Sequence, residues 1–235
     1  MEQISSILTN SGIPAAIEAA KNLLKKLVGP AVEETGLLLQ DTVRVYRLKN
    51  QLRVLDKTQE MLNRSGIDPK SVPLRILVPL LEGAALEDDD NLATKWAALL
   101  ANAAKQGENV NFTSSFSNIL SQLSPRDVAI LDILHKEKWY HSKKPQNIVL
   151  FAFRPTIQAP LHLSDKEYEL SVDNIVRLGL CVTDNKLLPS RVQKDLEEIK
   201  KDDPDLIRRD IIIATRLGFE FLEACSPPKK EISRN

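Results

Sequence analysis

The chain has 235 residues, 43% hydrophobic and 27% charged, which is typical of a globular protein with one large or two small cores. Its 32 basic and 32 acidic side chains cancel, so the overall charge gives no reason to expect nucleic acid or anionic lipid as a partner. The two cysteines lie far apart in the sequence, which argues against a disulfide or zinc framework and favours a reducing compartment.

Neither end of the sequence has the pattern of a targeting segment. Residues 1–12 contain no basic residue and no uninterrupted apolar stretch, both of which a secretory signal needs. No window approaches the roughly 18 to 20 consecutive apolar residues of a membrane-spanning helix. We therefore expect a cytoplasmic protein.

The first part of the chain predicts helices. Apolar residues at helical spacing indicate an amphipathic helix over 13–28 and a longer helix over 31–64, which Ser65-Gly66 closes. Asp68-Pro69 predicts a short helical turn. Both long segments have a polar face as well as an apolar one, as surface helices of a bundle do.

The next segments also predict helices. The most apolar stretch, LRILVPLLEGAA after Pro73, is expected to form a helix that Pro79 kinks or interrupts. The acidic run 87–90 predicts the N-terminus of an alanine-rich helix, because carboxylates stabilise the positive end of the helix dipole. A further helix is predicted over 112–123.

The pattern changes at Ser124-Pro125, where a serine cap and a proline at the first helical position predict a new helix. The following segments predict, in order, a short strand or loop in NIVLFAFRP, a capped helix over 165–178 ending at Gly179, a strand in LCVTD, a polar stretch over 189–210, a strand in DIIIAT and a final helix in RLGFEFLEAC. Helices followed by strands around a charged connection are expected of a winged-helix-like module, in which residues 184–210 would form an enlarged wing.

These elements predict a mainly α protein in two parts. An N-terminal helical bundle domain is expected over 1–122. A winged-helix-like α+β domain with a small β-hairpin is expected over 123–226, and a disordered tail over 227–235.

Three segments resemble the Abi-alpha family of bacterial proteins. They are GLLLQDTVRVYRLKNQLRVLDKTQEML, GIDPKSVPLRILVPLLEGAALEDDDNLATKWAALLANAA and FSNILSQLSPRDVAILDIL, within a resemblance that covers residues 30–225. The most specific part is 73–103, where a proline-containing apolar helix, an acidic cap and a Trp-containing helix follow one another. The resemblance implies a role in abortive infection and phage defence, and it implies no catalytic residue.

No familiar catalytic motif occurs in the sequence. The nucleophile elbow, the H-E-x-x-H pair, the P-loop and the dinucleotide-binding turn are all absent. Carboxylates are the ligands of hard cations such as calcium and magnesium, and Glu82 and residues 87–90 could supply them, but helix capping explains these residues more simply. We therefore assign no catalytic, cofactor-binding or metal-binding residue.

Two surfaces are candidates for binding. One is a set of cations on the long helix, with Tyr46 among them: Arg44, Arg47, Lys49, Arg53 and Lys57. It has the composition of a phosphate or acidic-partner surface, although nearby carboxylates also suit an ordinary solvated face. The other is Trp139-Tyr140, either an exposed aromatic patch or core.

The leading hypothesis is a non-enzymatic component of antiphage defence that binds a host, phage or effector protein, or a second copy of itself. One alternative is a toxin-like effector that acts on membranes through residues 14–28, or on RNA. The other is a DNA-binding regulator that reads DNA with helix 165–178. Nucleic acid is not favoured, because three carboxylates against two cations on that helix repel phosphate.

Overall fold

A computed structural model of the chain describes residues 22, 23, 26, 42–107, 113–136, 138–140, 148–183 and 211–229. Contacts divide the chain into two compact units. The helical unit comprises residues 1–121 and 224–235, and the mixed unit comprises residues 122–223. The predicted domain limits stay predictions, and this division lies close to the predicted boundary.

Four helices make up most of the described part of the helical unit. They are α1 Thr42–Ser65, α2 Leu74–Ala85, α3 Asp90–Gln106 and α4 Thr113–Leu120. Helix α3 packs on the other three, and its buried face consists largely of alanines around Trp96. Alanine side chains let neighbouring helices approach closely, so α3 forms the centre of this unit.

Local signals set the limits of these helices. Gly66 adopts φ 64°, and the amides of Gly66 and Ile67 donate to the carbonyls of Asn63 and Leu62, which closes α1 as a Schellman motif. Asp89 caps α3 by accepting from the Leu92 amide at 2.9 Å. The predicted end of the long helix and the predicted role of the acidic run are therefore confirmed.

Two local predictions in this unit need correction. Residues 67–73 contain no helix, so the turn predicted at Asp68-Pro69 is wrong. Helix α2 continues through Pro79 to Ala85, so proline does not interrupt it. A proline has the φ value of a helix and removes only one hydrogen bond, and Ile76, Leu77, Leu80 and Ala84 bury the apolar face that stabilises the helix.

The mixed unit contains four helices and four strands within its described residues. In chain order they are α5 Pro125–Lys136, β1 Lys138–Tyr140, β2 Ile148–Phe153, α6 Arg154–Leu161, α7 Asp165–Arg177, β3 Cys181–Val182, β4 Ile211–Ala214 and α8 Arg216–Ala224. Helices α5 and α6 pack on β2. The mainly helical fold class with a small antiparallel sheet is confirmed.

The sheet has the strand order β1-β2-β4-β3, and all its pairs are antiparallel. Strands β2 and β4 form its centre, and β1 and β3 lie at its edges. Phe151 of β2 lies opposite Ile213 of β4, and Val182 of β3 lies opposite the same residue. Phe151, Ile211 and Ile213 are buried together. The winged-helix comparison describes this order loosely, and the polar stretch predicted as a wing lies outside the described residues.

Capping boxes begin two helices of this unit. Ser164 Oγ accepts from the Glu167 amide, and Glu167 accepts from the Ser164 amide at 3.0 Å. Ser124 and Asp127 exchange the same pair of bonds at the start of α5. Both helix starts were predicted from the serine that precedes them, and both predictions are confirmed.

Candidate interaction surface on the helical unit

The predicted set of cations on α1 divides into two groups. Arg53 and Lys57 are partly buried and bind the turn between α2 and α3. Arg47 and Lys49 are exposed, while Arg44 lies in α1 with its side chain outside the described residues. The structure therefore does not present the five residues as one solvent-exposed set.

A series of polar side chains along α1 binds the end of α2 and the acidic turn after it. Asn50 donates to the Ala85 carbonyl at 3.2 Å, and Gln51 donates to the Leu81 carbonyl at 3.1 Å. The Arg53 guanidinium donates to the carbonyls of Glu87 and Asp88 at 2.6 and 3.1 Å. Lys57 pairs with the Asp90 carboxylate at 3.0 Å. Three of these side chains thus donate to backbone carbonyls at the end of α2 and in the turn after it, and Lys57 binds a carboxylate.

The acidic run also has a structural role. Burial raises the pKa of the Glu87 carboxyl, and the Asp89 amide, which donates to it at 2.9 Å, offsets part of that rise. Asp89 caps α3, and Asp90 pairs with Lys57. Throughout the described residues, no group of three His, Cys, Asp or Glu side chains is arranged to hold a metal ion.

Replacing Arg53 tests this structural role. We expect Arg53→Met to lower the free energy of unfolding by about 2 kcal/mol, because two carbonyls lose a charged donor in a partly buried turn. Arg47→Met, on the same helix but exposed, is the matched control and is expected to change it by less than about 0.5 kcal/mol. Urea denaturation followed by circular dichroism measures both. Equal effects of the two substitutions would contradict the assignment.

A ridge of side chains on the solvent side of α2 is the most apolar exposed feature of the described helical unit. Leu74, Val78, Glu82 and Leu86 follow one another at four-residue spacing and form what we call the α2 ridge. Leu74 is 51% exposed, Val78 45% and Leu86 67%. Ridges of this spacing pack into the grooves of other helices.

An open cleft of about 360 Å³ lies next to the α2 ridge. It is lined by Pro79, Glu82, Gly83, Leu86, Trp96, Ser117, Asn118 and Ser121. Trp96 is buried at its base, and the absence of a side chain at Gly83 makes room for the indole ring. Ridge and cleft share Glu82 and Leu86, so they form one continuous surface with apolar and small polar groups. Sequence reasoning missed this surface, because an apolar segment predicts core.

In the described residues of the mixed unit, the two histidines and Cys181 lie in surroundings that serve the fold. His135 Nε2 lies 3.0 Å from Glu223 Oε1, and exposed His162 forms the left-handed end of α6. Burial raises the pKa of the Cys181 thiol to about 12, which keeps it neutral and weakly nucleophilic. His141 lies outside the described residues.

Helix α7, the predicted DNA-reading helix, has a mixed surface. Exposed Lys166 adds one positive charge, exposed Glu169 and Asp173 add two negative charges, and Leu170 is 58% exposed. Arg177 binds Asn174 and Gln122. Bonds from Ser164 and the nearby Arg126 lower the pKa of Glu167, which stays a carboxylate at neutral pH. DNA binding by this helix stays a prediction.

Trp139 and Tyr140 lie in β1, where Trp139 pairs with Val149 and Tyr140 with Ile148 of β2. Their side chains lie outside the described residues, so the aromatic patch stays a prediction.

Of the amphipathic segment 14–28, residues 22, 23 and 26 are described as helical. Leu23 is 1% exposed, and Lys26 Nζ lies 3.9 Å from Asp68. The apolar face at Leu23 is thus buried in protein.

Membrane contact through 14–28 stays a prediction. Among the helices that the structure describes, none has both the length and the apolar composition needed to cross a membrane.

The fold and surface define a mainly helical protein of two units that carries a small antiparallel sheet and an apolar α2 ridge. The family model described as abortive infection alpha matches residues 49–225. The chain therefore belongs to the abortive infection alpha family, whose name suggests a part in antiphage defence. No curated protein and no solved structure matches the chain.

Proposed function

We propose that the protein is a non-enzymatic component of bacterial antiphage defence, of the abortive infection type, and that it acts by binding another protein through the α2 ridge. The family match supports the biological role. The ridge itself is the observation that supports binding, since three large apolar side chains at helical spacing are exposed beside an open cleft.

The chemistry of the ridge indicates the kind of partner. Leu74, Val78 and Leu86 match the four-residue spacing of anchors in helix-in-groove recognition. Glu82 within the ridge and Arg75 beside it add one charge of each sign, which helps to set the register of a partner. An amphipathic helix with a complementary apolar stripe fits this surface best.

The bonds that several histidine, acidic and basic side chains make within the protein support a non-enzymatic role. His135 faces Glu223, the acidic run caps α3, and two of the α1 cations bind the turn before α3. Each of these groups serves the fold.

Phage challenge of bacteria that express the protein tests the role. We expect cultures to survive a low phage dose and to collapse at a high dose, because abortive infection sacrifices infected cells. Equal growth with and without the protein at both doses would contradict a defence role.

The ridge is tested by Leu74→Glu/Val78→Lys in the same assay. This pair keeps the net charge and adds a favourable four-residue ion pair, so the helix is preserved while the apolar surface is lost. We expect protection to disappear. Leu170→Lys on α7, which removes an exposed leucine from the mixed unit, is the control and should protect normally. Protection by the ridge variant would argue against the ridge.

RNA degradation or liposome leakage by the purified protein would argue against a non-enzymatic binding role.

A further inference from the structure

The C-terminal segment 226–229 packs on the helical unit through its backbone. Pro228 is buried, although its neighbours Pro227 and Lys229 are exposed. Ser65 Oγ at the end of α1 donates to the Pro228 carbonyl at 2.6 Å. On α3, Lys105 Nζ donates to the Lys229 carbonyl at 3.1 Å. The segment is thus bound at two successive carbonyls.

Asn102 on α3 is the central contact. Its Nδ2 lies 2.8 Å from the Ser226 carbonyl, 2.8 Å from the Ala224 carbonyl and 3.1 Å from the Ala98 carbonyl of its own helix. Three acceptors around one atom identify that atom as the amide nitrogen, because an oxygen there would be repelled. One of the two shorter bonds goes to Ser226 of the C-terminal segment, and the other goes to Ala224 at the end of α8.

The sequence of the segment suits this mode of binding. Pro227 and Pro228 have no N–H, so this part of the chain presents carbonyl acceptors and few donors. Adjacent prolines favour an extended polyproline conformation, and Ser226 before them is restricted to extended backbone as well. Little conformational entropy is lost when such a segment binds. Donors on the helices meet acceptors on the segment.

We propose that Ser65, Asn102 and Lys105 form a peptide-binding groove that recognises an extended Ser-Pro-Pro segment through its carbonyls, and that residues 226–229 are its intramolecular occupant. Ser65, Asn102 and Lys105 bind backbone carbonyls of the segment, and Pro228 supplies the buried side chain. A Pro-Pro peptide supplied from outside therefore fits the same groove. This inference does not depend on the proposed function in defence.

The first test uses Cys225, which directly precedes the segment. Cys225 is 2% exposed, and Cys181 in β3 of the mixed unit is 1% exposed. We expect Asn102→Asp, which faces three carbonyls with an acceptor, to raise the rate of thiol labelling at Cys225 by about tenfold. Labelling of Cys181 stays unchanged and shows that the mixed unit remains folded. Mass spectrometry of peptides from the labelled full chain distinguishes the two sites.

Asn91→Asp makes the same chemical change at an exposed position in the first turn of α3 and is expected to leave both thiols protected. Unchanged protection of Cys225 in Asn102→Asp would overturn the proposal.

A second test measures binding directly and does not rely on that variant. Pro227→Asp/Pro228→Asp in the full chain vacates the groove without altering it. We expect a synthetic peptide of residues 224–235 to shift the side-chain amide signal of Asn102 saturably in the nuclear magnetic resonance spectrum of this variant. The wild-type chain shows no such shift at the same peptide concentration, since its own segment competes intramolecularly. The same peptide with alanines in place of both prolines is the control. Absence of a shift in the vacated chain, or an equal shift with the alanine peptide, would overturn the proposal.

Discussion

Gly218→Ala is expected to lower the free energy of unfolding by about 4 kcal/mol or more, the largest effect of a single methyl group predicted for this chain. A Cβ at Gly218 would overlap the Leu180 carbonyl oxygen. It would lie 2.9 Å from the Leu180 carbonyl carbon and 3.2 Å from the Leu180 Cα. These are backbone atoms, so rotation of a side chain cannot relieve the overlap.

The surroundings of Gly218 also resist movement. Its amide donates to Thr215 Oγ1 at 2.9 Å, and the Thr215 hydroxyl donates to the Gly179 carbonyl at 2.6 Å. The Thr215 amide donates to the Leu180 carbonyl at 2.9 Å. Separating the two backbones would break these bonds, which join the start of α8 to the start of β3.

Guanidinium denaturation and thiol labelling of Cys181 measure this effect. Cys181 is buried next to Leu180, so we expect Gly218→Ala to expose its thiol. Arg216→Ala is the matched control in the same turn of α8. Its side chain is 89% exposed, and we expect a change of less than about 0.5 kcal/mol. A Gly218→Ala chain as stable as the wild type would show that the close approach is not required.

Gly83→Ala is expected to lower the free energy of unfolding by about 3 kcal/mol. A Cβ at Gly83 would lie 2.6 and 2.8 Å from Cζ2 and Cζ3 of Trp96 and closer still to Cη2. Trp96 is 2% exposed, so a shift of its ring away from Gly83 would disturb a buried side chain. Gly83 lies within α2, where alanine would otherwise be preferred by about 1 kcal/mol.

The opposite signs of these two effects allow a double-mutant test. Trp96→Phe removes the part of the ring that faces Gly83. In that background we expect Gly83→Ala to be neutral or to stabilise the protein by about 0.5 kcal/mol, because only the helix preference remains. Thermal and urea denaturation of the four chains measure the coupling. Additive effects of the two substitutions would contradict a direct clash.

The two predictions concern features that the sequence alone did not reveal. Each glycine is needed because a distant residue approaches it, Leu180 in one case and Trp96 in the other. The partner is set by the packing of elements far apart in the chain. Gly66 and Gly179 differ from Gly83 and Gly218. Both adopt positive φ at the end of a helix, and both helix ends were predicted from the local pattern.

The secondary structure also divides into elements that local sequence predicted and elements that it did not. Helices α5 and α7 were predicted because a serine, an acidic residue and an apolar period act within one or two turns. Helix α6 was missed because Pro155 and Pro160 suggest a loop, although a proline at the second helical position suits a helix start. Strand β1 was missed because three residues carry no periodicity, and its pairing with β2 makes it a strand.

For the candidate surface, the sequence predicted which residues are cations or apolar, and the tertiary structure decided which of them face solvent. In the sequence, Arg53 and Lys57 cannot be distinguished from the exposed cations Arg47 and Lys49. They differ in the structure because they bind the turn after α2. Leu74 and Val78 belong to an apolar segment that predicts core, but both side chains are exposed in the structure. The segment 226–229 has the composition of a disordered tail, but Asn102 and Ser65 bind it. The sequence by itself determined helix limits, caps and fold class, because these depend on interactions within a few residues. The exposed ridge, the occupied groove and the glycine contacts depend on residues far apart in the chain, so only the tertiary structure decided them.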